Sequence, residues 1–127
     1  MIKTIPISCG EILDKISILE IKQKNIIDSN KLRNISLELE FLKKESEDIF
    51  KKENIKHLYK ELKEVNEKLW QIEDLVRLKE KQKIFDEEFI DLARSVYITN
   101  DKRYEIKKTI NETLNSTIKE EKFYEQY

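Results

Sequence analysis

The sequence predicts an all-α fold, an antiparallel helical hairpin or bundle of about five helices with one long central helix. Three observations predict it. The chain's one glycine, Gly10, and one proline, Pro6, both precede the first helical pattern, so no breaker follows in the remaining chain. Apolar residues then recur at three- and four-residue steps almost to the end. Ser8-Cys9-Gly10-Glu11 reads as a capping box, a local signal for a helix start.

Taken in order, residues 1–7 form an extended arm, with Pro6 keeping them out of a helix. The first helix is expected from about Cys9 to Ile27, where Ile12, Leu13, Ile16, Leu19 and Ile26 make a stripe. Ile18, Ile21 and Ile27 widen that stripe, as in a central helix with neighbours on two sides. Asp28-Ser29-Asn30 supplies a turn. The second helix, about Lys31 to Lys51, carries Leu32, Ile35, Leu39, Leu42 and Ile49, and Lys52-Glu53-Asn54 follows as a connection.

The third helix, about Ile55 to Gln82, has the cleanest periodicity. Leu58, Leu62, Val65, Leu69, Ile72 and Val76 form a seam suited to knobs-into-holes packing. At roughly 42 Å it exceeds the ~30 Å of a small domain. Either helices two and three project as a hairpin or a second copy covers the overhang, and a homodimer is the expectation. A fourth helix is expected from about Asp86 to Ile98, a break at Thr99-Asn100-Asp101, and a fifth carrying Ile106, Ile110 and Leu114. Residues 116–127 form a polar, flexible tail with Phe123, Tyr124 and Tyr127. The whole of 1–127 reads as one domain.

Composition excludes several function classes. Charged residues make up 40% of the chain, yet 25 basic and 26 acidic side chains nearly cancel, which argues against nucleic-acid binding through bulk charge. One cysteine, Cys9, excludes an internal disulfide and an all-cysteine zinc site, and one histidine, His57, leaves little for a His-rich metal site. Charge interrupts every apolar run, so no membrane span is expected. The N-terminus lacks the pattern of a signal peptide, and a cytoplasmic location follows as the expectation. No cofactor is implied, and a single glycine leaves no phosphate-cradling loop.

Arginine is the informative residue. Four arginines stand against twenty-one lysines, and Arg77, Arg94 and Arg103 lie within one stretch. Where lysine is so abundant, an arginine points to a place needing a planar, bidentate fork. Helical spacing puts Asn66, Trp70, Glu73 and Arg77 on one face of the third helix, Arg94 and Tyr97 on one face of the fourth, and Arg103, Lys107 and Asn111 along the fifth. The first helix adds Glu11, Asp14, Lys15 and Lys22 beside its apolar stripe. Convergence of these faces would build an anion-binding pocket for a phosphate, carboxylate or nucleotide-sugar-like molecule. Arg94 and Arg103 would clamp the anion, and Trp70 and Tyr97 would wall it. Asp14, Glu73 and Asp101 would orient the cations or take hydroxyl groups, with Lys15, Arg77, Asn100 and Lys107 completing the site.

Two other readings stand beside this one. The helices could form an adaptor or oligomerisation module that holds a protein partner, with the polar cluster fixing register. A metal-dependent nucleotide or sugar-phosphate enzyme would use Glu64-x-x-Glu67 and Glu88-x-x-Asp91 as paired magnesium ligands. Those four flank the seam on its outer side, whereas a metal site should face inward. No catalytic set emerges, and binding rather than catalysis is expected.

Several stretches together resemble a known family: Gly10 to Lys22 (GEILDKISILEIK), Leu69 to Asp74 (LWQIED) and above all Phe89 to Arg103 (FIDLARSVYITNDKR). Lys107, Ile110-Asn111 and Glu120-Glu121-Lys122 continue the match. The family is one of small uncharacterised bacterial and phage proteins, a domain of unknown function often encoded near glycosyltransferases. The resemblance implies no known activity, and its gene neighbourhood implies a link to surface-polysaccharide metabolism.

Overall fold

A computed structural model describes all residues 1–127, which form five α-helices and no strands. They are α1 (Cys9–Asn25), α2 (Ser29–Glu45), α3 (Glu47–Phe50), α4 (Glu53–Gln82) and α5 (Glu87–Thr113). The fold is all-α, as the missing breakers and the apolar spacing predict. No helix is long and apolar enough to cross a membrane.

Side-chain caps set the starts of three helices. The Ser8 hydroxyl accepts from the Glu11 amide at 3.2 Å, Asp28 accepts from the Lys31 amide at 2.9 Å, and Asp86 accepts from the Phe89 amide at 3.0 Å. The capping box at α1 is only half formed, because the Glu11 carboxylate turns away from Ser8 to meet Lys107. Two boundaries differ from the expected ones. The second predicted helix is divided at Ser46, whose fully buried hydroxyl donates to the Leu42 carbonyl and so satisfies a group the helix end leaves open. The expected break at Thr99-Asn100-Asp101 does not exist, and α5 runs through it for 27 residues. Cap-type side chains end a helix only when they bind backbone. Here Thr99 is buried, Asn100 accepts from Arg103, and Asp101 accepts from Lys122 and Tyr127.

The 30 residues of α4 span about 45 Å. Antiparallel α5 packs along α4, and α1 lies across the pair, touching both. Leu13, Ile16 and Leu19 of α1, Leu62 of α4 and Ile110 of α5 form the core, and α2 closes it with Ile35 and Leu39. Of the predicted seam on α4, Leu62 and Ile72 are buried and Val65, Leu69 and Val76 are half-buried. Past Ile72 the α4–α5 pair projects beyond the core, leaving Leu75, Leu78, Phe85 and Ile90 about half exposed.

Lys83 closes α4 in the left-handed region, at φ 56°. A side chain there is strained and glycine is not. Lys83→Gly is therefore expected to raise stability by up to about 1 kcal/mol, read as a shift of the urea midpoint at unchanged slope.

Candidate functional site

The chemistry gathers where α1 crosses α4 and α5. Asp14, on the apolar side of α1, is only 1% exposed, and three side chains answer its carboxylate. Arg103 of α5 grips it with two N–H groups: Nε donates to Oδ1 at 2.9 Å, and Nη2 donates to Oδ2. Asn66 of α4 donates to Oδ1 at 2.9 Å and to the Ser17 hydroxyl at 2.7 Å. Lys107, one turn beyond Arg103, holds its ammonium 3.8 Å from Oδ2. A buried carboxylate survives only when charges and donors surround it in this way. One acid on α1 thus fixes the placement of both long helices.

Lys107 is 5% exposed and sits between two carboxylates, Glu11 of α1 and Glu120 beyond α5, each at 2.7 Å. Burial pushes its ammonium down, but Glu11 and Glu120 outweigh that and hold it above the ordinary lysine value. The bond from Asp14 likewise raises Arg103. The outer N–H of Arg103 donates to Asn100 Oδ1 at 3.4 Å, and its side chain stays 28% exposed. No buried side-chain polar atom in the chain lacks a hydrogen-bond partner.

Two further contacts lock the N-terminus of α1. Its Gly10 amide donates to Asn111 Oδ1 at 2.6 Å, and its Cys9 amide donates to the Ser116 hydroxyl at 3.2 Å. Gly10 lies so close to α5 that a Cβ there would stand 2.7 Å from the Lys107 carbonyl oxygen. At the opposite end of α1, Glu20 accepts from the Tyr59 hydroxyl and from Lys63. Burial pushes the Glu20 carboxyl up, yet Tyr59 and Lys63 prevail and hold it below its ordinary value.

The segment after α5 forms no helix and lies along the outer face of α5. Ser116 donates to the Ile118 carbonyl at 2.7 Å and starts it on this path. Glu120 then meets Lys107, while Lys122 and Tyr127 both donate to Asp101. Lys122 also stands over the rings of Tyr104 and Tyr124, at 5.6 and 5.5 Å, and Tyr127 packs edge-on against Tyr97. Between this segment and α5 runs a groove of about 1170 Å³, lined by Tyr97, Asn100, Arg103, Tyr104 and Lys107 on one wall and by residues 120–127 on the other.

Lys122 foremost, and then Tyr127, hold the Asp101 carboxyl below its ordinary value. A depressed folded value means that this tether acts in full above the ordinary carboxylate range and is lost as pH falls through the depressed value. The backbone resonances of residues 119–127, followed against pH, should thus hold their tethered positions through the range where free aspartates titrate and move toward disordered positions only below it.

The structure brings Asp14, Tyr97, Asn100, Asp101, Arg103 and Lys107 to this groove or directly beneath it. It leaves five of the candidates from sequence elsewhere. Lys15 points outward from α1. Trp70 is half-buried on α4, outside the groove lining, and Glu73 and Arg77 form an exposed pair with each other at 3.3 Å. Arg94 is exposed, nine residues from Arg103 and so about two and a half turns along α5. These residues follow the helical spacing but lie past the point where α1 crosses. Glu64, Glu67, Glu88 and Asp91 build no group of three or more that could hold a metal, and Glu88 is held by Lys79 at 2.9 Å.

The spacing sets Glu11 and Asn66 on the converging faces without giving them a role, and it leaves out Ser17, Glu120, Lys122 and Tyr127 as members of the site. Ser17 stands three residues from Asp14 within an apolar run, a spacing that marks a shared buried face. The segment after α5 gave no comparable signal.

A comparison with curated proteins and one with solved structures each find no match. A family model does match, over residues 3–127, which takes in α1, both long helices and the segment that closes the groove. The chain therefore belongs to the family of unknown function DUF6165.

Proposed function

We propose that the protein is a small helical binding protein whose groove takes an anionic small molecule, a carboxylate or a phosphate ester of the sugar-phosphate or nucleotide-sugar type. The observation that supports this is the Glu120 carboxylate on Lys107. It comes from a non-helical segment to a buried ammonium, and so marks a seat for an anion. Without it, Arg103 and Lys107 stand against Glu11 and Asp14, two charges of each sign, so the seat draws an anion through the Lys107 N–H that Glu120 leaves and not through net charge. Tyr97 and Tyr104 offer ring faces, and Asp101 and Asn100 offer acceptors for hydroxyl groups. The resemblance to proteins encoded near glycosyltransferases makes sugar phosphates and nucleotide sugars the first compounds to try.

The test is a thermal-shift screen of nucleotides, nucleotide sugars, sugar phosphates and small carboxylates. A compound at a hundred times its Kd stabilises the fold by about 2.7 kcal/mol. The shift should disappear in Lys107→Gln and in Arg103→Lys, which keeps the charge but loses the fork, and should persist in Arg94→Ala. A flat screen, or a shift that Lys107→Gln leaves intact, refutes the reading.

A second reading, an adaptor or self-association module, is favoured by the half-exposed Leu75, Leu78, Phe85 and Ile90 on the projecting end of α4 and α5. Sedimentation of wild type and Leu78→Lys decides it. A monomer at every concentration counts against self-association.

A further inference from the structure

The segment that closes the groove has the chemistry of a ligand. It places a carboxylate, Glu120, on the buried ammonium at one end of the groove. It places an ammonium, Lys122, on Asp101, between the tyrosine rings 104 and 124. It finishes with a phenol, Tyr127, on the same Asp101 and against the Tyr97 ring. Both ends of the groove are thus satisfied by one short stretch of the same chain. None of residues 117–127 is buried, and none belongs to a helix. Apart from Glu120 on the buried ammonium, their hold on α5 is through exposed or half-exposed polar contacts, which are individually weak. The connections of α1 to α5 through Asp14 and Asn111 do not involve them.

We infer that residues 119–127 are a built-in competitor of the anion site, a strap that occupies the groove in the free protein and is displaced when the ligand binds. This rests on the reading of the groove as an anion site and adds its regulation. Lys107 already holds Glu11 and Glu120 at 2.7 Å with Asp14 at 3.8 Å, so its three N–H groups are all taken and a ligand anion enters only by displacing Glu120. Apparent affinity is then the intrinsic affinity scaled by the fraction of molecules with the strap released. Weakening the strap at positions remote from Lys107 tightens binding without altering the seat.

The experiment uses the full chain and inorganic phosphate as the probe, followed by backbone amide resonances in wild type, Glu120→Gln and Lys122→Ala. All changes lie in the non-helical segment, and circular dichroism checks that the helices are intact. In wild type, phosphate should shift the Arg103 and Lys107 amides saturably while the amides of 119–127 move to disordered positions. Glu120→Gln and Lys122→Ala should each bind phosphate at least fivefold more tightly. Saturable shifts at Arg103 and Lys107 with the strap still in place, or equal affinity in all three proteins, overturn the strap and leave the anion site standing. A strap already free in phosphate-free wild type also overturns it. No saturable shift in any of the three overturns both the strap and the anion site.

Discussion

Asp14→Ala is expected to lower the unfolding free energy by about 3–5 kcal/mol, the range found when one partner of a buried ion pair is removed. The residue is 1% exposed, and its loss leaves Arg103, itself 28% exposed, with two donors unanswered beside the buried Lys107. Asn66 keeps only the Ser17 hydroxyl, and Lys107 loses one of three nearby carboxylates. Against a total stability of about 5–15 kcal/mol, this brings the domain near the edge of folding. Urea unfolding followed by helical circular dichroism measures it. A comparison with Asp14→Leu combined with Arg103→Met separates lost attraction from stranded charge. The paired apolar replacement should cost clearly less than Asp14→Ala alone, because no uncompensated guanidinium remains.

Gly10→Ala is the second large effect, and its sign is the informative part. Helix propensity alone favours alanine by about 1 kcal/mol. Contact with α5 reverses this. The new Cβ would meet the Lys107 carbonyl oxygen at 2.7 Å and Asn111 Oδ1 at 3.1 Å. The first of these is backbone inside a helix, so it cannot swing aside, and α1 must lift from α5. Overpacking of this kind costs about 1–3 kcal/mol, and disturbing the buried bond from Gly10 to Asn111 adds about 1–1.5 kcal/mol. A net loss of about 2–3 kcal/mol is expected from thermal or urea unfolding. An unchanged or higher midpoint would show that α1 and α5 can separate there without penalty.

These two residues also show what the sequence makes legible. Asp14 could be singled out because a carboxylate beside an apolar stripe needs a partner, and scarce arginines indicate where to seek one. That Arg103 rather than Arg94 answers it depends on where α1 crosses α5, and no spacing within one helix contains that information. Gly10 sat inside a recognisable capping box, yet its need for a missing side chain is a property of the facing helix. The unbroken α5 follows the same pattern. Thr99, Asn100 and Asp101 have the chemistry of a helix end, and only their tertiary partners decide that they serve elsewhere. The all-α class, the long α4 and the cap at Ser8 were readable because they rest on interactions within a few residues. The groove was not, since half of it is a segment without periodicity.

The reach of the Asp14–Arg103 contact bears on how the chain is made. The two residues are 89 positions apart in sequence. At about 5–20 residues per second, translation delivers Arg103 some 4–18 s after Asp14. A local helical hairpin such as α4–α5 closes in far less time than that. During synthesis, Asp14 therefore stands without its arginine for roughly a million times longer than a helix takes to form, with only Asn66 and the apolar residues of α2 and α4 to meet α1 before then. A codon change that slows elongation between residues 26 and 103 should lengthen that exposure and lower the yield of folded protein. The same change placed after Arg103 should do so much less.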